Sequence, residues 1–510
     1  MKSERCTVAV VGSGAGGGTV AQALAPLVAQ GKRVLVLERG PRFRDSDFTG
    51  RELEMAGALF AEEGGVLTAD GTMTLAFARG YGGSTLVYTG TSLKAPERVI
   101  RSWGVPGLEA PDIDRRCAKY LAENGAQLLP PGLLNDNNRL FAEGAAKAGF
   151  HAEQFPLNLR GCLGSSLCNL GCPNAAKQGT NRVQLPGAER QGVEVVTRAE
   201  VRRVGDRFLD VVVTERPPGG KGTDPEWAPG EYRIAADCIV LAGGVLGTTP
   251  LLLGSDLAAL PQRVGAGFTC HPAHILAAEH LRPISNDVGH PKSYFVDRAA
   301  EAGYVLETCM YFPFITAKNL TGFGPAHSAL MQAFPRLQMI LVLACDRAVP
   351  ENRISVDRRG SPVVHYRFTE PVIASMVEAT RAAARIFFAA GALRVHAPSA
   401  EPPLLEAWES DRVEQRVHRR HFRPGTISVS AAHLMGGCGM GAGPADSVTD
   451  AWGRVHGRPW LRVADASLFP DALQINPYVT IMALADRVAE GVLAEVAQLG
   501  GEEAARQGAR

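Results

Sequence analysis

The sequence predicts an α/β chain built around a Rossmann-like nucleotide-binding sheet, with a second domain beside it. Three observations carry the prediction. A short apolar run, Cys6–Val11, leads straight into the glycine-rich stretch GSGAGG. A second run, Arg33–Leu37, ends in an acid, Glu38. The chain has 510 residues, 45% of them hydrophobic, which is more than one core usually holds, so two domains are expected.

The first run is β-branched and apolar throughout, as in a parallel strand buried on both faces. Gly12, Gly14 and Gly17 then fall in G-x-G-x-x-G spacing. The first glycine permits a tight turn, the second lets backbone approach a pyrophosphate, and the third lets helix pack on strand. Pro26 should end or bend that helix. A carboxylate at Glu38 suits the two hydroxyls of a ribose and repels a 2′-phosphate. Strand, glycines, helix, strand and acid in this order are far more specific than the glycines alone, yet they fit NAD and FAD equally.

Further along, Arg79–Thr85 reads RGYGGST, a loop too glycine-rich for a helix or strand and dense in backbone N–H groups. Residues 193–204 read as paired strands, and 238–253 as strand, glycine turn and helix start. Residues 263–272, RVGAGFTCHP, form another loop. Near the end, a strand closes on Asp465 and a helix opens at Asn476-Pro477. Asn suits the N-cap and Pro the first helical position, and Ile481, Leu484, Ala485, Val488 and Val492 recur on one face. Such a helix start favours a partner that carries or develops negative charge.

Composition narrows the function. Lys and Arg total 53 against 52 Asp and Glu, a formal charge of +1, which supports neither nucleic-acid binding nor a polybasic anchor. The longest apolar run, Cys238–Leu260, is broken by Gly243, Gly244, Gly247 and Pro250 and does not read as a membrane span. Val8–Val11 is too short for a signal core, so a cytoplasmic setting is expected. Ten cysteines in a chain of this length are not a disulfide scaffold.

Taken in order, these segments resemble the glucose–methanol–choline (GMC) oxidoreductases, which use FAD to oxidise alcohols. The matches are GSGAGG with Glu38, YGGST, VLAGGVLGTTPLLL, VGAGFTCHP, AAHLMGGCGMG and DASLFP…INPYVTIMALADR. The resemblance implies a discontinuous FAD domain over about 1–100, 185–275 and 425–510. An α+β substrate domain with an antiparallel sheet would take 101–184 and 276–424, the sheet including Gln338–Ala344 and Asn352–Val356.

It further implies that His433 is the base, since an imidazole takes a hydroxyl proton well at neutral pH. Asn476 becomes its partner, hydrogen-bonding the substrate oxygen. The alternative roles are a core histidine for His433 and a plain helix cap for Asn476. Cofactor contacts are implied at Gly12, Gly14, Ala15, Gly17, Glu38, Gly82, Gly83, Ser84, Val201, Ala242, Gly243, Asp465, Ala466, Asn476, Pro477 and Tyr478. The YGGST loop lacks the His that some relatives attach to flavin, which implies non-covalent FAD. His271 reads as structural, and His290, His365, His421 and His456 carry no motif. Tyr304, Met310, Tyr311, Phe312, Phe314, Phe334 and Met339 read as core or as the lining of an apolar pocket.

Cys162, Cys168 and Cys172 have the C-x5-C-x3-C spacing of sugar dehydrogenase subunits that carry an iron–sulfur cluster, with reduced structural thiols as the other reading. No further metal site is expected. Oxygen, a quinone or a protein would accept the electrons. The rival activities are a lyase on the same FAD scaffold and an iron–sulfur-assisted sugar dehydrogenase.

Overall fold

A computed structural model describes residues 1–255, 257–403 and 405–508. Lys2–Val11 (β1) and Val34–Leu37 (β2) pair in parallel, with Val8 opposite Val34. Glu194–Val196 (β3) extends the sheet beside β2. Ala199–Gly205 (β4) and Phe208–Val213 (β5) form an antiparallel pair, which joins Gly230–Leu241 (β6). The order is β3-β2-β1-β6-β5-β4, and the short strand Leu461–Val463 runs parallel to the end of β6. The middle strands are apolar because both faces are covered: all four residues of β2 are buried.

Residues 193–204 do hold two strands, but they do not pair with each other. Arg198 between them has left-handed backbone (φ 56°) and donates its N–H to the Gly40 carbonyl, which turns the chain from one strand position to another.

Ala15–Leu24 (α1) follows the glycine turn and ends where Pro26 enters, the chain tightening into a 3₁₀ stretch, Ala25–Gln30. The final helix, Tyr478–Gly508, lies against α1. Helix Ala110–Glu123 is pinned to it by Asp486, which accepts from Arg116 (2.5 Å), Lys119 (2.6 Å) and the Tyr120 hydroxyl (2.6 Å).

A second sheet is mainly antiparallel, with one short parallel pair, Thr74–Leu75 beside Ser430–Ala431. Ala273–Glu279 (β7), Tyr294–Arg298 (β8), Tyr304–Thr308 (β9) and Leu337–Ala344 (β10) lie in the order β7-β10-β9-β8. Alternate side chains face opposite ways. Leu276, Leu306, Ile340 and Val342 join the main core with Met376, Ala383 and Phe387 of the helix Glu370–Ala389. Ile275, Val305, Met339 and Leu341 join a second apolar core with Phe155 and Leu157. Gln338–Ala344 thus takes its expected place. Arg353–Val356 does not: it pairs with Pro362–His365 as a separate hairpin. Asp357 causes this, because its side chain accepts the N–H groups of Arg359 and Ser361 and folds the chain straight back. Among the described residues no helix is long and apolar enough to cross a membrane.

Candidate active site

The C-terminal ends of β1, β2 and β6 meet at a strip of bare backbone. Gly12 has φ 99° and sits against the Ala242 carbonyl and Gly243, leaving no room for a side chain. Opposite, Gly83 has φ 53°, and a Cβ there would lie 2.7 Å from the Gly14 Cα. Two glycine loops therefore face each other at the start of α1, whose N-cap, Gly14, has no side chain to cap the first-turn N–H groups. This is the shape and donor set that a dinucleotide pyrophosphate needs, so the chain fits FAD at this edge.

Glu38 is buried at the end of β2. Its carboxylate accepts the Ser13 N–H (3.1 Å) and hydroxyl (2.5 Å), the Gly40 N–H (2.7 Å) and the Gly80 N–H (3.3 Å). Desolvation pushes its pKa up against these hydrogen bonds. A ribose hydroxyl would have to exchange with the Ser13 hydroxyl. Val201 lies in β4, whose first residue, Ala199, donates its N–H to the Glu38 carbonyl. The Ser84 side chain is exposed and accepts the Ala78 N–H, so it holds its own loop.

Asp465 ties its own loop to the turn at Gly244–Thr248. It accepts the Gly244 N–H (2.8 Å), the Thr248 hydroxyl (2.5 Å) and both the N–H and hydroxyl of Ser467. The next residue, Ala466, accepts the N–H of Gly436, which brings the AAHLMGG loop to the cofactor end of the sheet.

In that loop Met435 and Thr269 exchange backbone hydrogen bonds, so the segment carrying His271 lies alongside the one carrying His433. The His433 Nε2 lies 3.2 Å from Asn476 Nδ2, and its Nδ1 lies 3.2 Å from His271 Nδ1. Asn476 and His433 are thus brought together as the sequence pairing expects. The His271 Nε2 bonds the Leu473 carbonyl. Burial holds His433 well below the ordinary histidine value, and the charges of His271 and Lys292 push the same way.

His271, read from sequence as structural, is therefore in direct contact with His433. Its sequence signals were its place in the VGAGFTCHP match and its position before Pro272. Lys292 and Glu307 form a buried ion pair whose charges act on His433 and His271 respectively, and spacing gave no hint of it. Tyr478 packs its ring 4.8 Å from that of Tyr88 and accepts from Asn124 (2.9 Å). The sequence places Asn476 at the N-cap of the final helix, but Pro477 accepts the Ile481 N–H and takes that place, leaving Asn476 just before the cap.

Lys177 is buried beneath the Tyr88 loop and donates to the carbonyls of Leu86 (2.8 Å), Tyr88 (2.7 Å) and Cys168 (2.6 Å). Burial lowers its pKa to about 8. Cys162, Cys168 and Cys172 are free, and burial pushes Cys168 up to about 12. Among the described residues no group of three His, Cys, Asp or Glu side chains is placed to hold a metal ion, so the trio gives the iron–sulfur reading no support. Cys172 instead accepts the Lys177 N–H.

Of the apolar residues singled out, Met339 belongs to the second core, with Met310, Tyr311 and Phe334 half-buried against it, and Tyr304 belongs to the main one. Phe312 flanks a third, smaller cluster, and Phe314 is exposed. His290 and His421 are buried, and His365 and His456 are half-buried.

Family profiles described as GMC oxidoreductase match residues 56–273 and 349–485. A Mycobacterium tuberculosis protein described as an uncharacterized GMC-type oxidoreductase is 31% identical over 503 residues, spanning 96% of this chain and 76% of that protein. A long-chain-alcohol oxidase of Arabidopsis thaliana is 25% identical over 532 residues, spanning 95% of this chain and 67% of its own. An FAD-dependent oxidoreductase from Chaetomium thermophilum superposes with TM-score 0.67 at 17% identity, over 96% of this chain and 99% of that one, and shares the fold.

Proposed function

The chain belongs to the GMC oxidoreductase family, and on that premise we propose that it oxidises a small-molecule alcohol to an aldehyde or ketone with non-covalent FAD and with His433 as the base. The observation that carries this reading is the 3.2 Å approach of Asn476 Nδ2 to His433 Nε2, on a loop tied to the cofactor end of the sheet.

Gly12, Gly14, Ala15, Gly17, Gly82 and Gly83 would hold the pyrophosphate, with Glu38 and Val201 at the ribose end. Ala242, Gly243, Asp465 and Ala466 would line the middle. Asn476, Pro477 and Tyr478 would present the start of the final helix to the isoalloxazine. When bound, FAD accepts the hydride from the carbinol carbon.

The chain's own residues manage the oxygen. The alcohol O–H enters between Asn476 and His433, donating to His433 Nε2 and accepting from Asn476 Nδ2. Burial keeps His433 neutral, so its lone pair is ready for that proton at and below neutral pH. Asn476, which cannot titrate, steadies the oxygen as it gains negative charge. Oxygen is the proposed electron acceptor, in keeping with the oxidase name of the Arabidopsis relative.

Anaerobic mixing of the holoenzyme with a panel of primary and secondary alcohols tests this. At least one alcohol should bleach the flavin's visible absorbance, and admitting air should restore it. A panel that leaves a bound flavin fully coloured rejects alcohol oxidation and favours the lyase. Bleaching reversed by a quinone but not by air rejects oxygen as acceptor.

A further inference from the structure

On the reading of His433 as the base, we propose that His271 is a positioning residue that decides which nitrogen of His433 carries a proton. The assignment starts at Leu473. A backbone carbonyl only accepts, so the His271 Nε2 bonded to it must carry hydrogen. In a neutral imidazole the other nitrogen then bears the lone pair. His271 Nδ1 is therefore an acceptor, and the His433 Nδ1 3.2 Å away must be the donor. That leaves His433 Nε2 bare, facing the Asn476 Nδ2 donor at 3.2 Å. Each donor in the chain Asn476–His433–His271–Leu473 meets an acceptor. The opposite tautomer of His271 would set a lone pair against the Leu473 carbonyl.

The backbone shows that His271 is held in place rather than merely packed. It has φ 51°, in the left-handed region that few non-glycine residues enter, and the Pro272 that follows restricts its backbone further. Such strain persists only where the surroundings over-determine it. Here they do. The buried Asp346 accepts the N–H groups of Cys270 (2.9 Å) and His271 (3.1 Å) and the hydroxyl of Tyr366 (3.1 Å). A conformation clamped from the backbone side delivers the imidazole edge to His433, the ring planes crossing at 89°.

The groups that face or act on the pair are Asn476, which is neutral, and the Lys292–Glu307 ion pair. Among the described residues neither Asn476 nor the ion pair hydrogen-bonds His433 Nδ1, so the tautomer rests on His271. After the alcohol proton arrives at Nε2, the same contact offers the His271 lone pair to the Nδ1–H of the imidazolium. His271 touches no reacting atom, and its effect passes through His433.

The test combines a spectrum with kinetics on the holoenzyme. NMR of nitrogen-labelled histidines, with the His433 signals assigned by their loss in His433→Ala, should show the proton on Nδ1 in the parent enzyme. It should move toward Nε2, or become mixed, in His271→Ala. Anaerobic flavin reduction in that variant should slow by about 10- to 100-fold, with FAD retained and apparent substrate affinity unchanged. His271→Asn tolerates the left-handed backbone and still offers an acceptor, so it should recover part of the rate and carries the test if the alanine variant does not fold. A parent enzyme with the proton on Nε2, or variants that reduce flavin at the parental rate, would overturn the proposal. The base reading fails separately, through a His433→Ala enzyme that reduces flavin normally, and the tautomer spectrum is independent of that result.

Discussion

The Nδ1 atoms of His271 and His433 lie 3.2 Å apart although the residues are 162 positions apart in sequence. One loop holds the proposed base and the other holds its neighbour, laced together by the Thr269–Met435 backbone pair. Chemistry at this site therefore depends on two turns keeping register, more than on any one helix or strand.

His433→Ala should slow anaerobic flavin reduction by about 10²- to 10⁴-fold, the range for loss of a general base. FAD should stay bound, since His433 lies outside the glycine cradle. Stopped-flow absorbance measures the first and gel filtration of the coloured protein the second. Normal reduction would remove His433 from the mechanism.

The pH profile follows from the depressed His433 value. A base with a lowered pKa stays unprotonated as pH falls, so kcat/KM should hold steady through the ordinary histidine range and decline only in more acid solution. Asn476→Asp places a carboxylate beside the imidazole and should shift that decline to higher pH, because negative charge favours imidazolium. An acid limb that the substitution leaves unmoved would mean that another group titrates.

Gly83→Ala should abolish or severely weaken FAD retention, because its Cβ would stand 2.7 Å from the Gly14 Cα and its φ of 53° is unfavourable for alanine. Gly57→Ala is the control. It lies in a helix with nothing within 4 Å of the added methyl and should raise stability by up to about 1 kcal/mol. Flavin-to-protein absorbance ratios compare the two, and equal retention would refute the cradle.

Asp486→Ala should destabilise the fold by about 3 kcal/mol or more, since it leaves the buried Arg116 with part of its charge unmatched and strips the Tyr120 hydroxyl. Urea unfolding measures it. Because Asn124, at the end of the same helix, donates to Tyr478, flavin loss should accompany the drop in stability.

The nucleotide end of this protein was legible because its signal is local. Gly12, Gly14, Gly17 and Glu38 lie within one strand–helix–strand unit, and each residue type answers a need of the turn beside it. Pro26 likewise ended its helix through its own missing N–H. Pairing was harder to read. Residues 193–204 are strands by composition, but a left-handed Arg198 and the edges of β2 and β5 determine what they pair with. Asp357 moved 353–356 out of the large sheet by closing a turn that the apolar pattern does not encode. His433 and Asn476 were found through family motifs. His271 was read as structural because the lone pair it presents depends on Leu473 and Asp346, both distant in sequence.

The first sheet takes its strands from residues 2–37, from 194–241 and finally from 461–463. During synthesis, β1 and β2 leave the ribosome long before β6 can pair with them, and Asp465 arrives only after most of the chain has emerged. The nascent protein must therefore carry an exposed parallel edge on β1 until β6 has emerged, and an open end of β6 until residues 461–463 arrive, a state prone to aggregation and to chaperone capture. Cofactor capture would fall late for the same reason, so ribosome-bound chains halted before Arg462 should fail to retain flavin while chains released in full retain it.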